Sequence, residues 1–261
     1  MEPLFFGRAD TPLFGMLHRP AMTTERRGTV VLCPPFGQEY GRAHRALREM
    51  AHRLSAMGFC TLRFDYYGTG DSSGREEDGS PDRWLDDVDA ALVEAREAGG
   101  GGKICLVGLR LGGTLAALAG LRRDDIDRLV LWDPIVLGRS YLTELVRRHQ
   151  AVLAERPKPR GYRVTDPPTE LLGAPITPPV LAFLESLDLL GLERPAAHRI
   201  CVVSSDSSPL SDRLAARLRE QGAEVQLEHR PGLTVWLKED EIIRTLVPLE
   251  VIGTIVSWLS K

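Results

Sequence analysis

The chain has 261 residues, of which 43% are hydrophobic, and its formal net charge is −3. This length is enough for one large α/β domain with a full core, and the slightly acidic balance offers no general attraction to nucleic acid or to an anionic membrane. The sequence shows no run of about 18 apolar residues and no signal pattern in its first fifteen residues, so a cytoplasmic protein is expected.

Short β-branched runs alternate along the chain with longer segments of helical periodicity. This pattern predicts an α/β fold with a mostly parallel, eight-stranded sheet flanked by helices. Two edge strands are expected within residues 3–7 and 13–19, followed by buried strands at 29–33, 60–64, 103–107, 128–132, 199–204 and 224–229. Helices are expected at 43–57, 81–98, 111–122, 211–221 and 239–260.

Residues 137–197 break this alternation. They contain eight of the eighteen prolines and no convincing buried strand. The segment is too long for a simple connection between two core strands, so we expect a partly helical lid over a pocket. Because no internal repeat is found, residues 1–261 are expected to form a single domain that carries this lid.

Four cysteines lie in or beside the apolar runs, at Cys33, Cys60, Cys105 and Cys201. Metal sites need closely spaced thiols or imidazoles, and the chain has no such pattern. The cysteines are therefore predicted to be reduced, buried core residues. The glycine-rich segment 68–74 lacks the lysine and the spacing of a phosphate-binding loop, so neither a metal nor a cofactor is expected.

One segment, KICLVGLRLGGTLAALAG, is predicted to form a strand, a tight turn and a helix. Its turn, Gly108-Leu109-Arg110-Leu111-Gly112, resembles the nucleophile elbow G-x-S-x-G of α/β hydrolases. Residues 63–72 resemble a stretch common in esterases and peptidases of that fold, and the loop around Phe36 resembles the one that supplies an oxyanion-hole amide. On this resemblance, which is strongest over residues 29–133, the chain is identified as a member of the α/β-hydrolase superfamily, in its serine aminopeptidase and esterase branch.

Within that superfamily, three short segments resemble the hydrolases associated with bacterial exosortase systems. These segments are P-P-F-x-x-E at residues 34–39, G-L-R-L-G at 108–112 and W-x-P-x-V-x-G at 132–138. A second relative is similar only in outline: the peptide epimerase of bottromycin biosynthesis has this fold without the usual triad. The first resemblance implies a hydrolase, whereas the second implies proton transfer on a peptide.

The catalytic positions depart from the superfamily pattern. Arg110 stands at the nucleophile position, and its guanidinium has no lone pair for attack. Thr234 or Val235 falls where the histidine is expected, while His229 lies several residues earlier and either faces the pocket or lies on the surface. Asp206 either keeps the position of the acid or caps the following helix. Ordinary serine hydrolysis is therefore not expected.

Arg110 has two possible roles. At a helix N-terminus, together with the backbone amides of Leu111 and Phe36, it would bind a carboxylate or an enolate oxygen, through charge-assisted bonds of about 1.5–3 kcal/mol each. Alternatively, it pairs with a protein carboxylate and fills the nucleophile site, since a buried cation needs a partner. The carboxylates available for this are Glu39, Asp133 and Asp206.

Other residues are expected near the same pocket. Glu39, in the loop beside the oxyanion hole, either serves as a general base or pairs with Arg42, Arg45 or Arg110. Asp133 follows a core strand and either faces the ligand or caps a turn with the next residue. The aromatic side chains of Tyr40, Tyr141 and Trp236 either line the pocket or pack in the core.

Three functions remain open from the sequence. The first is a non-covalent enzyme that catalyses proton transfer, such as epimerisation or isomerisation, on an acyl or peptidyl compound with an anionic group. The second is an ester or amide hydrolase that activates water through Glu39 or through Asp206 and His229. The third is a binding protein for such compounds. The sequence does not indicate an oligomeric state.

Overall fold

The computed structural model describes residues 1–22, 25–155, 165, 167–206, 208–231, 234, 236 and 247–261. The strands of this part of the chain are β1 (Glu2–Arg8), β2 (Thr11–His18), β3 (Gly28–Cys33), β4 (Phe59–Phe64), β5 (Ile104–Leu109), β6 (Ile126–Trp132), β7 (Glu170–Leu171), β8 (Ala174–Pro175), β9 (Arg199–Ser204) and β10 (Glu224–His229). Its helices are α1 (Gln38–Ala56), α2 (Pro81–Gly99), α3 (Leu111–Leu121), α4 (Gly138–Glu155), α5 (Pro178–Ser186), α6 (Pro209–Glu220) and α7 (Leu249–Leu259).

Eight strands form the central sheet, in the order β1-β2-β4-β3-β5-β6-β9-β10. β1 pairs antiparallel with β2, and β2 pairs antiparallel with β4, while the remaining neighbours are parallel. The predicted α/β fold with a mostly parallel, eight-stranded sheet is confirmed. The carboxyl ends of the parallel strands share one edge of this sheet, which is where ligands bind in open α/β folds.

Two hydrophobic clusters cover the two faces of the sheet. Successive residues of β3 alternate between them, with Val31 and Cys33 in one cluster and Val30 and Leu32 in the other. Helices α1 and α7 cover one face, whereas α2, α3 and α6 cover the other. All four cysteines are buried and free, as predicted.

Two helix starts differ from the sequence-based prediction by more than two residues. α1 begins at Gln38 rather than at residue 43, so Glu39 lies in its first turn and not in a loop. An acidic residue in a first turn is stabilised by the helix dipole, which explains the earlier start. The last helix begins only after Pro248, because proline is tolerated at a helix start and not in its interior. Residues 239–246 of that prediction lie outside the described residues.

The segment between β6 and β9 contains α4, the two short strands β7 and β8, and α5. β7 and β8 form a small antiparallel hairpin of their own, apart from the central sheet. Ala174 of this hairpin lies directly over Gly37, since a Cβ atom added to Gly37 would be 2.9 Å from that of Ala174. Across the described helices of the chain, none has both the length and the apolar character needed to cross a bilayer.

Helix α3 packs very closely on the chain that precedes α1, and Gly112 makes this possible. A Cβ atom at Gly112 would lie 2.2 Å from the carbonyl oxygen of Pro34 and 2.3 Å from that of Cys33. We therefore expect Gly112→Ala to lower the free energy of unfolding by about 1–3 kcal/mol, measured by urea denaturation.

Gly253 on α7 provides the matched control for this substitution. A Cβ atom there meets nothing within 4 Å. Gly253→Ala should therefore raise stability by about 0.5–1 kcal/mol, through helix propensity alone. Equal urea midpoints for the two variants would show that the close approach at Gly112 does not matter.

Candidate active site

A sharp turn joins β5 to α3, and Arg110 is its central residue. Arg110 has φ 55° and ψ −125°, a conformation that is strained for any residue with a side chain. The backbone holds it there, because Arg110 N donates to Trp132 O at 3.0 Å and Gly113 N donates to Arg110 O at 2.9 Å. A Cβ atom at Gly108 would lie 2.3 Å from Gly112 O, so only glycine permits this turn.

The Arg110 side chain is paired with two carboxylates. Its Nε lies 3.3 Å from Glu39 Oε2, and its Nη2 lies 3.0 Å from Glu144 Oε2. The guanidinium also lies against the rings of Tyr141 and Trp236, at 5.2 and 5.5 Å from their centroids. The side chain is 11% exposed. This is the paired arrangement that the sequence left open, with Glu39 as an expected partner and Glu144 as an unexpected one.

Arg148 completes a cluster of four alternating charges. Its Nη1 lies 3.4 Å from Glu39 and 3.6 Å from Glu144. We call Glu39, Arg110, Glu144 and Arg148 the charge cluster; its two cations balance its two anions. Burial raises the pKa of Glu39, which is 2% exposed, although Arg110 opposes that effect. Burial alone would lower the pKa of Arg110, but Glu39 holds it above its usual value.

Half of the charge cluster was missed by the sequence analysis. Glu144 and Arg148 lie on α4, four residues apart, within the segment expected to be a lid. Oppositely charged residues at this spacing are neighbours on one face of a helix. That signal was present in the sequence, but such pairs are usually solvent-exposed, and nothing local indicated that this one faces the elbow.

A cavity of about 280 Å³ lies beside Arg110, at the carboxyl ends of β6 and β9. It brings together six of the predicted site residues: Arg110, Asp133, Tyr141, Asp206, Thr234 and Trp236. It is also lined by polar residues that the sequence analysis did not single out, namely Ser140, Glu144, Arg147, Ser208 and Ser211. In the described part of the chain, no cluster of three metal-binding side chains is found.

Two of the predicted pocket residues, Phe36 and Tyr40, are not part of the cavity lining. The half-buried ring of Phe36 packs on Trp84, with ring centroids 5.3 Å apart, while the role of its backbone amide stays a prediction. The Tyr40 hydroxyl donates to Asp65 at 2.6 Å, and Tyr40 lines a separate, smaller cavity. Because α1 begins at residue 38, Tyr40 and Glu39 are successive helical residues and point in different directions. Glu39 contacts Arg110, whereas Tyr40 points towards Asp65.

Other predicted residues also lie apart from the cavity wall. His229 ends β10 at the edge of the sheet and is exposed, with its Nε2 3.3 Å from Asp212 Oδ1. The side chain of Leu111 is fully buried at the start of α3. Glu39 contacts the guanidinium of Arg110 but is not part of the cavity lining. Val235, the alternative to Thr234 at the histidine position, lies outside the described residues.

Asp133 is the most unusual group in the cavity wall. Its φ is 43°, its Oδ1 accepts from Ser205 N at 2.7 Å, and its N donates to Val203 O. Its Oδ2 is buried and has no hydrogen-bond partner among the described residues. Burial raises the pKa of Asp133 to about 6. Its hydrogen bond to Ser205 replaces the expected cap of a turn with Pro134.

The raised pKa makes the stability of the protein depend on pH. A folded-state pKa of about 6 exceeds the unfolded value of about 3.9, so the folded state binds this proton more tightly. The resulting stabilisation is present below about pH 4 and is lost as pH rises through about 6. We therefore expect Asp133→Asn to be more stable than the wild type by about 2–3 kcal/mol at pH 7.5.

Urea denaturation at pH 4 and at pH 7.5 measures this difference. The gap between Asp133→Asn and the wild type should close towards pH 4, where both side chains are neutral. A gap that does not change with pH would mean that the Asp133 carboxyl ionises as it does in the unfolded chain.

Asp206 lies across the cavity from α4. It is exposed, and its Oδ1 accepts from Ser208 N and from the Ser204 hydroxyl, both at 3.2 Å. The cap of α6 is Ser208, whose Oγ accepts from Leu210 N. Asp206 therefore orders the loop before the helix, and in the described structure it forms neither a hydrogen bond nor an ion pair with Arg110.

Two neutral donors complete the cavity wall. The Tyr141 hydroxyl and the Trp236 Nε1 are buried and have no hydrogen-bond partner among the residues that the structure describes. Burial raises the pKa of Tyr141 well above its usual value, so its hydroxyl keeps its proton. A buried polar group without a partner costs about 1–3 kcal/mol, which a ligand with acceptor atoms would recover.

Solved structures with the same architecture are α/β hydrolases from bacteria, archaea and animals. The esterase Est1E of Butyrivibrio proteoclasticus, bound to ferulic acid, matches with a TM-score of 0.68 and 19% identity over 99% of this chain and 100% of its own. An esterase of Pyrococcus furiosus matches with a TM-score of 0.66 and 16% identity, over 99% and 89% of the two chains. Mouse alpha/beta hydrolase domain-containing protein 10 matches with a TM-score of 0.62 and 18% identity, over 99% and 98%. These identities establish the shared fold alone.

A search of curated protein sequences gives no match. The family model described as "Serine aminopeptidase, S33" matches residues 24–170, which is more than half of the chain. The matched region runs from β3 through the elbow and into the segment after β6. The chain therefore belongs to the serine aminopeptidase S33 family of α/β hydrolases.

Proposed function

We propose that this protein is a non-covalent acid–base enzyme that moves a proton on an acyl or peptidyl substrate with an anionic group, as in epimerisation or isomerisation. The observation that carries the proposal is Asp133, a buried carboxyl in the cavity wall with one unpartnered oxygen. Its pKa of about 6 suits a group that both accepts and returns a proton near neutral pH.

The charge cluster argues against covalent catalysis. Arg110 occupies the position of the attacking side chain, and its guanidinium is held by Glu39 and Glu144. A permanent cation that is paired in this way neither attacks a carbonyl carbon nor moves aside at low cost. Chemistry in the cavity therefore depends on its carboxyl and hydroxyl groups.

We expect the protein to remain unlabelled by a fluorophosphonate probe. The reagent needs an activated nucleophile, and Arg110 supplies none. Intact-mass measurement after incubation should show the unmodified chain, while an authentic serine esterase in the same tube shows that the reagent is active. A stoichiometric adduct on a cavity serine, such as Ser140, Ser208 or Ser211, would overturn the proposal.

The proposed reaction is a proton transfer that returns the enzyme unchanged. Asp133 Oδ2 takes the proton from the carbon next to a substrate carbonyl, and the electron pair of that bond moves onto the carbonyl oxygen. The Tyr141 hydroxyl and Trp236 Nε1 donate hydrogen bonds to this oxygen as its charge develops. A proton then returns to the carbon and the carbonyl re-forms; it comes from Asp133, or from water on the other face while Asp133 gives its own proton to the resulting hydroxide.

Residues 137–197 are proposed to act as the lid of this cavity. Support comes from α4, which contributes Ser140, Tyr141, Glu144 and Arg147 to the cavity wall. The hairpin residue Ala174 lies over Gly37 in the loop before α1. A cover of this kind excludes water, which strengthens the hydrogen bonds to a developing charge.

Deuterium incorporation tests the proposed reaction. The protein is incubated in D₂O with N-acyl-L-alanine and short N-acyl peptides, and mass spectrometry with chiral analysis follows the carbon next to the carbonyl. Deuterium at that carbon, with or without the opposite enantiomer, is the expected result. Release of free acid without that label would contradict the proposal.

Hydrolysis through activated water is the second candidate. It is favoured by family membership and by two of the carboxylates that line the cavity, Asp133 and Asp206. Besides burial, the charge of Asp206 contributes to the raised pKa of Asp133. Reaction in H₂¹⁸O would place one heavy oxygen in the released acid. Ligand binding with neither reaction would instead indicate a binding protein.

A further inference from the structure

Arg147 differs from the other cations of the site in its environment. Among the described residues that line the cavity, two are arginines, Arg110 and Arg147. Arg110 is 11% exposed and paired within the charge cluster, whereas Arg147 is exposed. In the described part of the chain, no carboxylate lies within ion-pair distance of Arg147.

The charge cluster explains why Arg147 has no carboxylate partner among the described residues. Glu144 lies three residues before Arg147, a spacing that normally allows an ion pair on a helix. Glu144 instead binds Arg110 at 3.0 Å and Arg148 at 3.6 Å. Asp206, the exposed carboxylate of the cavity, has its Oδ1 bound to Ser204 and Ser208.

The helical spacing directs Arg147 to the same cavity as its neighbours. Ser140, Glu144 and Arg147 follow one another at four and then three residues, which places them along one face of α4. All three line the cavity. Because Arg147 is exposed while Tyr141 and Asp133 are buried, its guanidinium lies at the opening of the cavity and their side chains lie at the inner wall.

We propose that Arg147 is the specificity-determining residue that binds a carboxylate on the ligand, holding it at the opening of the cavity while the carbon next to the reacting carbonyl reaches Asp133. This inference rests on the proposed function and names its substrate class as N-acyl amino acids and peptides with a free carboxylate. The planar guanidinium of arginine matches a carboxylate through two parallel hydrogen bonds. Carboxylate binding was one of two roles that the sequence left open for Arg110, whose charge is balanced by Glu39 and Glu144 in the structure.

The test compares two probes that differ only in charge. N-hexanoyl-L-alanine carries a carboxylate, and N-hexanoyl-L-alaninamide replaces it with a neutral amide. Isothermal titration calorimetry should show that the wild type binds the acid at least about tenfold more tightly than the amide. Arg147→Gln should reduce this preference to less than about twofold, and Arg147→Lys should restore part of it.

Arg139→Gln is the matched control. Arg139 is exposed on the same helix, but its side chain donates to Glu185 O and does not line the cavity. This variant should keep the preference of the wild type for the acid. A preference unchanged in Arg147→Gln, or a wild type that binds the two probes equally or not at all, would overturn the assignment.

A separate measurement distinguishes this inference from the proposed function. Deuterium incorporation into the neutral amide depends on acid–base chemistry and not on carboxylate binding. If the wild type shows the charge preference but labels neither probe, the proposed reaction fails while the role of Arg147 stands.

Discussion

Replacing Arg110 with methionine is expected to lower the free energy of unfolding by about 3–5 kcal/mol, as measured by urea denaturation at neutral pH. The substitution leaves the Glu39 carboxylate, which is 2% exposed, with Arg148 at 3.4 Å as its remaining ion-pair partner in the described structure. A buried charge that loses its main partner costs far more than the bond itself contributed.

A double variant separates the ion pair from the packing. Adding Glu39→Leu to Arg110→Met removes both charges, so most of the lost stability should return, while Glu144 and Arg148 remain paired. Arg8→Met is the control, because the Arg8–Asp10 pair is exposed and its loss should leave the urea midpoint unchanged. An Arg110→Met protein with the same free energy of unfolding as the wild type would mean that the charge cluster does not stabilise the elbow.

The Asp133→Asn protein is expected to lose deuterium exchange by about 10²–10⁴-fold. Asparagine keeps an oxygen that can accept from Ser205 N, so the turn is preserved, but its amide cannot take up a proton. The measurement is the initial rate of label incorporation, under the conditions in which the wild type is active. Unchanged exchange would remove Asp133 from the mechanism.

Asp87→Asn is the control for a buried carboxyl without a role in the cavity. Burial raises the pKa of Asp87 to about 6 as well, but Asp87 accepts hydrogen bonds from Tyr67 N and Arg83 on α2. This variant should retain exchange at a rate close to that of the wild type. Loss of exchange in both variants would point to general damage rather than to chemistry at Asp133.

The fold could be predicted from the sequence because its signals are local. The continuous apolar run of β3, and the glycines on both sides of Arg110, encode a buried strand and a sharp turn within a few residues. The start of α1 was placed five residues late, since Gly37 and Glu39 resemble a loop until the fold supplies the backbone turn. Local sequence patterns thus predict where helices and strands lie more accurately than they predict the residues at which these elements begin and end.

The candidate site was only partly predictable, because its contacts join distant parts of the chain. Arg110 could be singled out, since a cation in a nucleophile position stands out in the sequence itself. Its partner Glu144 is 34 residues away on another helix, and no local pattern indicates that contact. For Asp133, the sequence could place the residue at the sheet edge but could not reveal that one oxygen lacks a partner.

The charge cluster also limits which single substitutions the elbow can accept. A single exchange of Arg110 for serine would leave Glu39 buried and poorly balanced, so the intermediate protein would be destabilised before any attacking group could work. A serine at position 110 would therefore require at least one compensating replacement, at position 39 or 144. Each charge of the cluster therefore makes it costly to replace its partner alone.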